Sequence, residues 1–210
     1  MLESSKEDFE ELGDRVYNHL SDVSKLQLGA MNNNKRRRQF SLARYLLSQC
    51  LNLRTQKNYV VDSLSTGQPY IFNSSFYCSI SHSDELIAIA ISNQGPIGVD
   101  IEQNCQRNFS SIVANYFHTD EIERFNRLPH QQQMKWFYQA WTHKEASAKA
   151  TGEGLSNINL RKMPSADANL SEHQTKDYTM SCIHHGSKQI QLVEAQLLNN
   201  SPWLQTQPLL

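Results

Sequence analysis

No stretch of the 210 residues approaches the roughly 18 consecutive apolar residues that a membrane span requires. The opening MLESSKEDFEELGD is acidic and has no apolar core segment, so it does not read as a secretory signal. The four cysteines, Cys50, Cys78, Cys105 and Cys182, form no Cys-x-x-Cys pair. They read as separate reduced thiols rather than a disulfide framework or a zinc site, although the run from Cys182 to His185 is metal-ligand-like. An excess of one charge is missing too. Lys plus Arg number 20 and Asp plus Glu 21, for a net charge of −1, which argues against a nucleic-acid polycation. Neither a repeat of solenoid period nor a long low-complexity linker is present. The mean hydropathy of −0.60 is polar. Three Trp, eight Tyr and eight Phe still supply a core, so wholesale disorder is excluded. The expectation is a soluble, cytoplasmic chain of one domain or two small packed ones.

What is there reads as helix, strands, helices, strands, an α+β order rather than a doubly wound sheet. Residues 3–28 are charged and weakly periodic. Residues 35–51 predict a helix, with Phe40, Ala43, Leu47 and Cys50 at helical spacing. Its basic start, Lys35 to Arg38, opposes the helix dipole and needs an explanation. STGQPY at 65–70 is a turn. FYCSIS and LIAIAIS, with HSDE between them, predict a hairpin, and IGVDIE at 97–102 a third strand. Residues 119–128 and 131–151 predict helices, the second ended by Gly152 and Gly154. Strands are expected at 178–184 and 188–197. A midpoint near 105 divides the chain into halves at 1–105 and 106–210.

Asp100 and Glu102 stand two apart on a strand, so both face the same side. They are either strand-end acids facing water or two like charges compensated by a cation. Glu145 falls on the same helical stripe as Met134, Phe137, Tyr138, Trp141 and Ala148. An acid on an inward face needs a partner. Lys149, one turn on, offers an intrahelical pair. The alternative is a site of three carboxylates, Asp100, Glu102 and Glu145, for a hard divalent cation, with magnesium favoured by oxygen ligands. The Lys35–Arg38 cluster reads alone as a solvated face or a nucleic-acid patch.

GVDIE at 98–102 and WTHKEASAKATGEGL at 141–155 resemble the paired signatures of the 4′-phosphopantetheinyl transferases. SISHS at 79–83, RRRQFSLARYLL at 36–47 and YFHTDE at 116–121 resemble further segments of that family. Chain length resembles its larger, monomeric, pseudo-dimeric branch, the surfactin-synthetase-activating type. The resemblance implies two similar α+β halves related by a pseudo-twofold, with coenzyme A in the cleft between them. It implies transfer of the phosphopantetheine arm of coenzyme A to a serine of an apo acyl or peptidyl carrier protein, with release of adenosine 3′,5′-bisphosphate. The competing reading is a non-catalytic module that binds coenzyme A or a carrier protein.

By this resemblance Asp100, Glu102 and Glu145 hold magnesium. Glu145, or a water on that ion, takes the serine proton. Lys149 meets charge on the leaving phosphate, and Lys144 is a second cation for it or a solvated helix residue. Ser81 and His82 face a phosphate. Arg38 and Arg44 contact coenzyme A, with Arg37 a lesser candidate, and Glu121 is a further acid near the metal. Three positions depart from the family pattern. Gln68 replaces the lysine of a Gly-Lys-Pro turn, Ser48 stands where arginine is usual, and Asp84 replaces a glycine after Ser-His-Ser.

Overall fold

The computed structural model describes residues 16–64, 67–84, 86–152, 169–185, 193–197 and 204–208. Its elements follow an α+β order: α1 (Asp22–Gly29), α2 (Asn34–Thr55), β1 (Val61–Ser63), β2 (Pro69–Ile71), β3 (Tyr77–Ser83), β4 (Leu86–Ser92), β5 (Ile97–Gln103), α3 (Phe109–Tyr116), α4 (Thr119–Arg127), α5 (His130–Thr151), β6 (Asn169–Gln174), β7 (Tyr178–His184), β8 (Val193–Leu197) and β9 (Leu204–Pro208). No helix among the described residues is long and apolar enough to cross a membrane.

α2 starts where Asn33 accepts a hydrogen bond from the Arg36 N–H at 2.9 Å, a side-chain cap for an otherwise orphan donor. It runs to Thr55, beyond the stripe that predicted it, and buries Phe40, Ala43, Leu47 and Leu51. β3 and β4 form the expected antiparallel hairpin, with Ser83 opposite Leu86. Asp84 makes the bend at φ 52°, a left-handed conformation that aspartate tolerates better than most residues. β5 and β6 flank β7 in a second, antiparallel sheet.

Five elements escape the sequence reading, α3, β1, β2, β6 and β9. α3 is short, and its cap, Asn108 accepting from the Ser111 N–H at 3.2 Å, supplies a signal that apolar periodicity does not. β1 and β2 are three residues each, with Pro69 and Tyr70 of the expected turn serving as strand. β6 is largely polar, so alternation is weak. Ser65, Thr66 and Gly154 lie outside the described residues.

The aromatic residues gather where α3, α4 and α5 meet, around Phe109, Phe117, Phe125, Phe137 and Tyr138. A second core joins Ala88, Ala90, Val99, Ile101 and Cys182 between the hairpin and the β5–β7 sheet. α5 crosses β5 at Gly98. A Cβ there would stand 1.9 Å from the Ala146 carbonyl oxygen and 2.5 Å from the Ala150 nitrogen. Only glycine lets the helix lie this close, and this contact brings the α5 side chains to the acids of β5. Gly98→Ala should cost at least about 3 kcal/mol, the upper end for overpacking. In a thermal melt that is a Tm drop of roughly 6–12 °C. An unchanged Tm would mean the helix can lift off without loss.

Candidate active site

β3 and β5 are not neighbours in one sheet. Side chains join them instead. Alternation places Ser79, Ser81 and Ser83 on one face of β3. The Val99 N–H donates to Ser79 Oγ at 3.0 Å, and the Gln103 N–H donates to Ser83 Oγ at 3.0 Å. Between these, Ser81 Oγ donates to Asp100 Oδ1 at 2.7 Å, and Ser83 Oγ donates to Glu102 Oε2 at 2.9 Å. The two acids of β5 therefore face the Ser-x-Ser-x-Ser strand, and the serine motif is in part a clasp for carboxylates. Asp100 is 4% exposed, which excludes a water-facing strand end for it.

Lys149 reaches into this seam from α5. Its Nζ donates to Asp100 Oδ1 at 2.7 Å, Ser81 Oγ at 2.8 Å and the Val99 carbonyl at 3.1 Å. The ion pair expected with Glu145 along the helix is thus made with Asp100 across the fold. The helix places lysine and glutamate one turn apart, but the nearer buried charge wins. Burial, then the Asp100 carboxylate, pushes Glu145 up to about 7, against the pull of Lys149. Burial and Asp100 raise Glu102 as well, opposed by Ser83, Arg107 and Lys149. Arg107 stands 3.6 Å from Glu102, a partner that sequence spacing did not single out.

A raised Glu145 pKa has a consequence for stability. A carboxyl whose folded pKa exceeds its unfolded value binds more protons when folded. Its contribution is complete below the unfolded value near 4.5 and is lost as pH rises through about 7. His82 acts in the opposite sense at lower pH, because burial, then Arg36, brings it down to about 4. Comparison with Glu145→Gln removes that background. In chelator-treated protein, wild type should lose Tm relative to Glu145→Gln between pH 5 and pH 8, since linkage tracks the proton difference. Parallel curves would refute the shifted carboxyl.

Whether these acids suit a cation can be judged from their surroundings. Among the described residues no three His, Cys, Asp or Glu side chains are gathered to chelate a metal, and an ammonium sits on Asp100. The unmet demand is nevertheless for positive charge. Asp100 Oδ2 is buried without a hydrogen-bond partner, and burial, then repulsion from Asp100, raises both neighbouring acids. An all-oxygen donor set with this deficit fits a hard divalent cation.

The basic start of α2 packs against the β3–β4 bend. Lys35 pairs with Asp84, Arg36 bonds the His82 ring, and Gln39 Nε2 donates to the Asp84 carbonyl at 2.7 Å. Arg37 caps α1 through the Leu28 carbonyl at 2.6 Å. These contacts answer the dipole cost noted above, and the Asp84 departure gives Lys35 its partner. Arg38 is exposed. Arg44 is 7% exposed, stacks 3.4 Å from the Phe40 ring centroid and donates to Ser63. Burial lowers it to about 10. Ser48 is buried and returns its hydroxyl to the Tyr45 carbonyl at 2.8 Å, a place without room for a solvated cation.

Two residues fall away from the carboxylates. Lys144 lies on another side of α5, with its side chain 2% exposed and its Nζ 2.8 Å from Glu121 Oε2. Glu121 also accepts from the His118 N–H at 2.9 Å, where His118 caps α4. The structure gives Lys144 a buried structural partner, not a place beside Lys149, and puts Glu121 with it. A cavity of about 120 Å³ opens beside the end of α5, lined among others by Gln68, Pro69, Tyr70, Phe76 and Ala150.

The family model of the 4′-phosphopantetheinyl transferase superfamily matches residues 96–203, just over half of the chain. The span includes β5 and α5. Among curated relatives, the 4′-phosphopantetheinyl transferase gsp of Aneurinibacillus migulanus is 33% identical over 114 residues, 54% of this chain and 46% of that protein. HetI of a Nostoc species, a 4′-phosphopantetheinyl transferase, is 32% identical over 130 residues, 58% of this chain and 55% of that protein. AcpT of Salmonella typhimurium, named likewise, is 32% identical over 121 residues, 56% of this chain and 60% of that protein. The chain spans about half the length of the curated relatives it matches.

Proposed function

We propose a catalytic role for this chain, which belongs to the 4′-phosphopantetheinyl transferase superfamily: it moves the 4′-phosphopantetheine arm of coenzyme A onto a serine of an apo acyl or peptidyl carrier protein and releases adenosine 3′,5′-bisphosphate. The observation that supports this most is the buried knot of Asp100, Ser81 and Lys149 with Glu145 beside it. A module that only held coenzyme A would need no carboxylate, hydroxyl and ammonium bonded together in this seam.

The nucleophile belongs to the partner, so the chain has to bind, orient and move one proton. Glu145, or a water on a bound ion, would accept the serine proton. Lys149 brings charge to the leaving phosphate. Arg38 and Arg44 at α2, with Ser81 and His82 on β3, line the approach for the coenzyme A phosphates. Ser81 acts mainly through Asp100 and Lys149, since its hydroxyl is already engaged by both. Asp100, Glu102 and Glu145 would hold magnesium. Bound there, it would neutralise charge on the pyrophosphate oxygens. We place the two halves, residues 1–105 and 106–210, on either side of coenzyme A, in a cytoplasmic monomer.

Arg38→Ala should raise the coenzyme A KM by roughly tenfold, the loss of one charge-assisted contact, with kcat and Tm little changed. Arg44, stacked and buried, should cost stability as well when replaced. Equal KM values for Arg38→Ala and wild type would return Arg38 to the solvated face. The whole reading is tested by incubating the protein with coenzyme A, magnesium and an apo carrier and weighing the carrier. A gain equal to the phosphopantetheine arm supports transfer. A stoichiometric complex with an unmodified carrier supports the binding module.

A further inference from the structure

Lysine has three N–H donors and no acceptor. In Lys149 all three are engaged, by Asp100 Oδ1, Ser81 Oγ and the Val99 carbonyl. The ammonium is therefore fixed on Asp100 by the seam between β3 and β5. A divalent cation taken up by Asp100 would meet this charge at close range, and like charges there repel strongly in a partly desolvated site. A phosphate of coenzyme A offers the ammonium another anionic partner and so relieves the conflict.

We propose that Lys149 is the resident counter-ion of Asp100 and exchanges from it to a coenzyme A phosphate as magnesium and coenzyme A bind, so that one side chain couples the two events. Ser81 is the positioning residue of the exchange, since it holds both the ammonium and the carboxylate. The inference rests on the transfer reading above and adds to it a binding order. Magnesium alone meets a site already compensated, whereas magnesium with coenzyme A meets one whose internal cation has a new partner.

The test is calorimetric titration of wild type, Lys149→Met and Ser81→Ala with magnesium, with and without saturating coenzyme A. Wild type should bind magnesium roughly fivefold tighter or more when coenzyme A is present, within the usual range of coupling between sites. Without coenzyme A both variants should bind magnesium more tightly than wild type, and coenzyme A should then tighten it less. Ser81→Ala keeps the charge of Lys149, so loss of charge through space cannot explain its shift. It also decides the matter if Lys149→Met does not fold. Wild-type magnesium affinity in Ser81→Ala, or undiminished coupling in either folded variant, overturns the exchange. A wild type that modifies an apo carrier but shows neither effect refutes the counter-ion role and leaves transfer standing. A wild type that leaves every apo carrier unmodified refutes transfer itself, whatever the titrations give.

Discussion

Asp100→Asn should lower transfer by roughly 10²-fold or more in kcat, the range for removing one preorganised charged group, with the protein still folded. Asparagine keeps the size of the side chain and an oxygen for the Ser81 hydroxyl and the Lys149 ammonium. It removes the negative charge, which the neighbouring acids sense and a hard cation would require. Alanine is a poorer probe. It would strip a partly buried cation of its partner, a change that costs stability on its own and confuses stability with chemistry. The measurement is kcat at saturating coenzyme A and carrier, beside a melting curve. Near-wild-type turnover in folded Asp100→Asn would remove Asp100 from the site.

Lys149→Met should lower kcat by a similar factor, roughly 10²-fold or about 2.7 kcal/mol at 1.36 kcal/mol per decade. Its charge counts most when negative charge builds on the departing bisphosphate, so the loss belongs in turnover rather than in KM. Lys149→Arg should recover only part of it, because a planar guanidinium cannot reproduce three donors fanned around one nitrogen. The alternative is a structural lysine, whose loss lowers Tm and spares kcat. Since Lys149 pairs with a buried aspartate, a Tm drop is expected in either case. Only kcat separates the two, and equal turnover for wild type and Lys149→Met would make the lysine purely structural.

The elements around the site were legible because their periodicities are strong. The apolar alternation of β3, β4 and β5 and the long stripe of α5 recur at their expected positions. Asp100 and Glu102 could be put on one side of a strand from spacing alone. What spacing could not give is the partner across the fold. Lys149 and Glu145 sit one turn apart in any helix, but the depth of Asp100 and the close crossing at Gly98 draw the lysine to β5 instead. Lys144, next to Glu145 in sequence, is turned toward Glu121 by the same helix rotation that aims its neighbour at the acids. The three serines were readable as a motif, not as a clasp, because their partners lie about twenty residues on. α3 and β6 were missed since one is short and the other polar.

The most direct test of the account follows both products of one reaction. Wild type and Asp100→Asn are each given coenzyme A, magnesium and an apo carrier protein, and free adenosine 3′,5′-bisphosphate is measured against modified carrier. The account predicts one bisphosphate released per carrier modified by wild type, and almost none of either from the folded Asp100→Asn protein. A folded wild-type protein that binds both substrates across a panel of apo carriers and forms neither product would contradict it.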